Sequence, residues 1–276
     1  MKTEVRLRLV IAFEGSRYQG WQTQTSGQGV QALVEQALQT LFPGAGPLHG
    51  SSRTDAGVHA LGLVAHVDIP RDAWRMTPRK LVLALNAHLP QDVRIFRASR
   101  AAADFHARFD AAGKEYRYRI WNAPAMNPLL ARFAWHLPRP LDLAAMRAAA
   151  RHLVGRHDFA SFTSNPGYTR PDTVRTLTRC EVRRRGAEFT LRIVGDGFLY
   201  KMCRGIAGTL VQAGLHRFPP DEVPAMLARR DRRVAGMTAP AEGLVLWRVF
   251  YRRKSVRTPG APSDTVPSPA SGESDG

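Results

Sequence analysis

Ser51-Ser52-Arg53-Thr54-Asp55-Ala56-Gly57-Val58-His59 runs almost directly into Leu61, Leu63, Ala65, Val67 and Ile69. The apolar residues alternate with the period of a half-buried strand, so a loop dense in reactive side chains is delivered at a strand's edge. A carboxylate in a Gly-bearing loop beside a sheet, with Arg53 next but one, can be held ionised by that arginine and aimed at a ligand. Asp and Gly also favour ordinary turns, and by itself the loop reads more readily as one.

Working outward, the strand period returns at Val5, Leu7, Leu9, Ile11 and Phe13, and helical spacing follows at Val30, Leu33, Ala37, Leu38 and Leu41. Thr77 before Pro78 predicts an N-cap and first turn for a helix to about Ala87. A strand near Val93 to Phe96 closes the first half. The second half repeats the rhythm with a strand from Lys114 to Trp121, a helix from Asp142 to Leu153 ended by Gly155, and strands near Val174 to Arg184 and Glu188 to Val194. A long helix from Phe198 to about Ala213, a shorter one around Asp221 to Arg229 and a strand from Leu244 to Tyr251 complete it. No Rossmann GxGxxG or phosphate-loop pattern interrupts the alternation. The pattern predicts an α+β fold in two sheet-and-helix halves, 1–105 and 106–254, followed by a Pro/Ser/Gly-rich tail at 255–276 that reads as disordered.

The 276 residues carry 40 basic against 23 acidic side chains, a net charge of +17, and only five of the basic residues are lysines. Arginine forks match phosphate oxygens bidentately and a field of this sign draws polyanions, so nucleic acid is the expected partner. An apolar content of 44% excludes general disorder. No apolar run approaches the roughly 20 residues of a bilayer span, and Arg6 and Arg8 break up any secretion-signal core, which points to the cytoplasm. Cys180 and Cys203 are far apart and the nine histidines show no HExxH, so neither a disulfide framework nor a metal centre is expected.

The string RTDAGVHA at 53–60 resembles the active-site segment of the tRNA pseudouridine synthase A family. Tyr18-Gln19-Gly20-Trp21-Gln22, Phe105-His106-Ala107-Arg108-Phe109, Lys114-Glu115-Tyr116-Arg117-Tyr118, Phe159-Ala160-Ser161-Phe162 and Ala239-Pro240-Ala241-Glu242-Gly243-Leu244 resemble its other signatures, in the family's order. The resemblance spans roughly Val5 to Tyr251, and Ser52 stands where the common form has Gly. It implies a pseudouridine synthase fold, two related halves flanking a basic cleft, usually assembled as a homodimer. The implied reaction converts uridine to pseudouridine at positions 38, 39 and 40 of the tRNA anticodon arm. By the same resemblance Asp55 is the essential carboxylate, Tyr116 the aromatic that packs on the target uracil, Arg204 the partner of the carboxylate and Arg53 a residue that helps extrude the base.

The chemistry suits these residue types. Breaking a glycosidic bond, turning the uracil and rejoining through C5 is redox-neutral, so no cofactor is demanded. A carboxylate can attack the sugar, add to the ring or take a sugar proton, and the sequence leaves all three open. A paired base must first leave its stack, and an aromatic ring offsets part of that cost.

Tyr116, Tyr118 and Ile120 share one strand face and Arg117 and Arg119 the other. Periodicity alone reads both tyrosines as core; the resemblance raises Tyr116 and leaves Tyr118 as packing. On the helix expected from Phe198, Leu199, Met202, Cys203, Ile206 and Leu210 form an apolar stripe, with Lys201 and Arg204 turned away toward a cleft or solvent. Cys203, on the stripe, reads as core. His59, Phe105 and Arg108 lie in matching segments as RNA contacts or structural braces. The arginine runs at 183–185, 229–230, 232–233 and 252–253 are candidate phosphate contacts. Two other readings stand beside this one: a non-catalytic RNA-binding module, against which Asp55 argues, and a sister uridine isomerase acting at another RNA site.

Overall fold

The computed structural model describes residues 4–22, 29–164 and 172–252. The tail expected at 255–276 and Arg253 lie outside the described residues. Alternation makes the first strand, β1 (Glu4–Phe13): Leu7, Leu9 and Ile11 are fully buried while Arg6 and Arg8 lie half-buried on the other face, Arg6 against Asp68 and Arg8 over Phe105 and Tyr251. After it come α1 (Val30–Leu41), the short β2 (His49–Gly50), β3 (His59–Pro70), α2 (Pro78–Ala87) and β4 (Val93–Arg100). Thr77 caps α2 as its sequence predicts, accepting from Lys80 N.

The second half supplies β5 (Ala111–Trp121), β6 (Trp135–His136), α3 (Leu143–Arg151), β7 (Gly155–Asp158), β8 (Val174–Arg185), β9 (Glu188–Gly195), α4 (Met202–Gly214), α5 (Val223–Arg229) and β10 (Leu244–Tyr251). Asp142 caps α3 by accepting from Ala144 N at 2.7 Å and Ala145 N at 3.1 Å. Among the described residues the strands form one sheet in the order β4-β1-β3-β10-β5-β9-β8-β7, with β2 beside β3 and β6 beside β5. The sheet therefore runs through both expected halves. Its seam is β10, the last strand in the chain, which lies antiparallel to β5 and touches β3 in parallel only at Val245↔His59 and Leu246↔Ala60.

Three sequence expectations need correction. The central part of β3 is buried on both faces rather than one, because the segment around Phe105 to Ala107 covers its second face: Ala107 N donates to His66 Nδ1 at 3.1 Å. The long helix starts at Met202, not Phe198, because Lys201 adopts a left-handed φ of 57° that helical geometry does not continue through. Nor is α4 a helix with one apolar stripe, since it is buried nearly all round. Gly208 permits this: a Cβ there would fall 1.7 Å from Met237 O.

Polar groups stitch the sheet as well. Glu115 on β5 is buried between Arg117 at 2.8 Å and Arg192 of β9 at 3.1 Å. Burial works to raise its pKa, but the two arginines prevail and hold it below the ordinary value. No helix among the described residues is long and apolar enough to cross a membrane.

Candidate active site

The loop that ends at β3 is held by its own backbone and by the segment after β1. Ser51 N donates to Val64 O at 2.7 Å, and Val58 N to Asp55 O at 3.2 Å closes the turn. From the other side Trp21 N donates to Thr54 O at 3.4 Å and Gly57 N to Tyr18 O at 3.2 Å, while the Tyr18 hydroxyl donates to Asp92 Oδ1 at 2.6 Å. Gly20 allows the approach. Its φ is +93°, and a Cβ there would lie 2.2 Å from Thr54 O.

Asp55 leaves this loop toward α4, where Arg204 Nη1 donates to its Oδ2 at 3.2 Å. Both side chains are largely buried, at 18% and 15% exposure, so the pair is screened far less than a surface one. Asp55 Oδ1 makes no hydrogen bond to a described residue, which leaves that oxygen for a ligand. Arg204 thus points at Asp55 rather than into solvent.

Arg204 is aimed by a loop whose sequence gives no hint of that duty. In the segment between Ala239 and Gly243 the carbonyls act in succession. Ala239 O accepts from Arg204 Nε at 2.7 Å, Pro240 O from the Tyr118 hydroxyl at 2.8 Å, and Gly243 O from Arg119 N at 2.8 Å. Glu242 O lies 3.1 Å from His59 Nε2. Because Gly15 N donates to His59 Nδ1 at 2.9 Å, the ring proton belongs on Nε2, which donates to Glu242 O. Burial pushes the His59 pKa down despite Glu14 at 3.6 Å, so the ring stays neutral at pH 7. His59 is a brace between the segment after β1 and the 239–243 loop.

Tyr116 lies on the β5 face that looks toward α4 and is 7% exposed. Phe198 meets it edge-on, ring centroids 5.0 Å apart. Burial first, with smaller contributions from Cys203 and Asp55, raises the phenol's pKa, so it stays protonated. The Ser52 side chain faces the same phenol, and its buried Oγ makes no hydrogen bond of ordinary geometry to a described residue. Cys203 is a buried thiol whose pKa burial raises, which suits packing rather than nucleophilic attack. Tyr118 is fully buried.

Arg53 is exposed on the loop and makes no hydrogen bond or ion pair to a described residue. Phe105 packs edge-on to His66 and against Tyr251, and its carbonyl accepts from Arg6 at 2.9 Å, a structural placement. Arg108 is exposed beside Phe109 and acts electrostatically on Lys114. Sequence reasoning missed Phe198, Lys114 and the office of the 239–243 loop; Gly195 and Gly197 just before Phe198 were the available sign of a turn. Among the described residues no group of three His, Cys, Asp or Glu is arranged to hold a metal. Concavities of about 640 Å³ between 139–142 and 214–217, and of about 290 Å³ beside Arg147, Arg151 and Arg183, include none of the residues around Asp55.

A family model described as tRNA pseudouridine synthase matches residues 9–110 and 149–252. The tRNA pseudouridine synthase A of Syntrophotalea carbinolica is 44% identical over 250 residues, covering 89% of this chain and 96% of the relative. That of Geobacillus kaustophilus is 43% identical over 248 residues, with 89% and 94% covered. That of Brevibacillus brevis is 44% identical over 250 residues, with 89% and 99% covered.

Proposed function

The chain belongs to the tRNA pseudouridine synthase family and is an RNA uridine isomerase acting on tRNA; from that premise we propose that it modifies positions 38, 39 and 40 of the anticodon arm, with Asp55 starting the reaction. The observation that carries the reading is the Asp55–Arg204 pair, in which one carboxylate oxygen is fixed at 3.2 Å and the other is left open beside Tyr116.

Arg53, exposed and unpaired with any described residue, pushes at the stem as the uridine leaves it. Stacking lost in the stem is partly regained against Tyr116, which Phe198 holds in place. Arg204 keeps Asp55 ionised and pointed at the nucleoside. The carboxylate then acts on the sugar or the ring; the C1′–N1 bond breaks, the uracil turns, C1′–C5 forms, and the C5 hydrogen leaves as a proton while N1 gains one. Atoms and electrons balance without an oxidant or reductant, so no redox cofactor is demanded. The carboxylate comes from the 1–105 half and Tyr116 and Arg204 from the 106–254 half, so neither half suffices. We also infer a homodimer, which sedimentation at micromolar concentration reads directly.

Mapping pseudouridine in unmodified tRNA treated with the purified protein tests the substrate assignment. Product at 38, 39 and 40 is expected. Product confined to another arm of the tRNA would overturn the anticodon assignment while leaving the isomerase itself standing.

A further inference from the structure

Lys114 lies near the start of β5 on the face that carries Tyr116, two residues or about 7 Å away along an extended strand, the scale of one nucleotide of RNA. Across the sheet Lys114 is in register with Gly195 of β9, and Gly195 with Leu177 of β8. Arg175, two residues before Leu177, shares that face. Gly197 makes room for it: a Cβ there would meet Arg175 Cδ and Nε at 3.3 Å, so the arginine lies across the turn between β9 and α4. Asp172 steadies its guanidinium at 3.3 Å. Arg108, exposed in the segment before β5, stands near enough to act on the same ammonium.

The groups that bear on Lys114 are Arg108, Arg175 and the Cys203 thiol, with no carboxylate among them. Its ammonium is half-buried and makes no hydrogen bond or ion pair to a described residue. Burial first, then the two arginines, pushes its pKa down to about 8. A solvated surface lysine has no such history. The buried Cys203 thiol feels both Lys114 and Asp55, so both charges lie within electrostatic reach of that one side chain.

We propose that Lys114, flanked by Arg108 and Arg175, is the socket for the backbone phosphate adjacent to the uridine resting on Tyr116. The proposal rests on the assignment of Asp55 and Tyr116 to that uridine. Asp172 pairs with Arg175, but no carboxylate bears on Lys114, so one phosphate brings the negative charge this ammonium lacks and its oxygens accept the donors it leaves unused. A phosphate held here fixes the nucleotide from its backbone while Tyr116 holds its base.

The test uses anticodon stem-loops in which a neutral methylphosphonate replaces, one at a time, each phosphate flanking the target uridine. Wild-type binding should weaken about tenfold or more at one of them, as expected for loss of a charge-assisted contact. Lys114→Met should bind the unmodified RNA about as weakly, and should lose nothing further at that one position. Lys114→Arg should restore affinity. Because a bound phosphate raises the ammonium's pKa, wild-type affinity should fall as pH rises from 7 to 9, whereas Lys114→Arg should stay flat. An unchanged melting temperature for Lys114→Met excludes unfolding as the cause. Wild-type affinity in Lys114→Met, or methylphosphonate penalties that persist in it, would overturn the socket. Pseudouridine yield on the same stem-loop separates the two readings: yield without a phosphate effect overturns the socket alone, and binding without yield overturns the uridine assignment beneath it.

Discussion

At the scale of single residues, Arg204 is the side chain whose geometry is most demanding. Its Nη1 meets Asp55 while its Nε is fixed by Ala239 O at 2.7 Å, a two-point grip that only a guanidinium fork can make. Arg204→Lys keeps the charge and loses the grip. A carboxylate displaced by about 1 Å costs on the order of 100-fold in rate, so kcat should fall by roughly 10- to 100-fold with KM for tRNA nearly unchanged. A loss expressed in KM alone would place Arg204 in RNA binding instead. Sequence singled out this arginine and left its direction open between cleft and solvent. It could not do better, because the atom that aims Arg204 is a backbone carbonyl 35 residues away, and carbonyls carry no sequence signature. Asp55 was singled out only through the resemblance carried by the contiguous string at 53–60, since the loop by itself read as an ordinary turn. Phe198 escaped notice since it was read only as the first residue of a helix, and no role was assigned to its ring.

At the scale of elements, α4 decides where Arg204 starts from. Glycines at 205 and 208 let its backbone lie directly against Phe162 O and Met237 O, where Cβ atoms would fall at 2.5 and 1.7 Å. Gly208→Ala is therefore a substitution whose sign can be worked out. Helix propensity favours Ala by about 1 kcal/mol. The collision is with backbone, which cannot swing aside, so the helix must shift and shed packing worth more, on the order of 1–3 kcal/mol for an overpacked site. The melting temperature should fall by several degrees; a rise would mean that α4 is less tightly wedged than described. The same glycines explain the gap between pattern and structure. A hydrophobic stripe was sought on a helix that glycine makes buried on nearly every side, and the strained Lys201 delayed its start by four residues. Elements governed by side-chain alternation, such as β1, and by capping, such as α2, were read to within a residue or two.

At the scale of the whole molecule, the last strand makes the first half and the second half one sheet. β10 enters between β3 and β5, and its short parallel contact with β3 falls at His59 and Ala60, just past the loop that carries Asp55. Closing the chain therefore brings the 239–243 loop against Asp55's neighbourhood. Local periodicity finds such a strand but carries no information about its partners, so a reading in two halves meeting near residue 105 held no sign of a sheet continuous across that point. A net charge of +17 lies over this frame and suits the tRNA substrate. The central claim is that Asp55 performs the chemistry while basic side chains elsewhere hold the RNA. Release of tritium from C5-labelled uridine in tRNA, measured beside tRNA affinity for the wild type and Asp55→Asn, tests it most directly. The account predicts turnover lowered by several orders of magnitude with affinity kept within about tenfold, because the substitution removes the reacting group and not a phosphate contact. Near-normal tritium release by Asp55→Asn would contradict it.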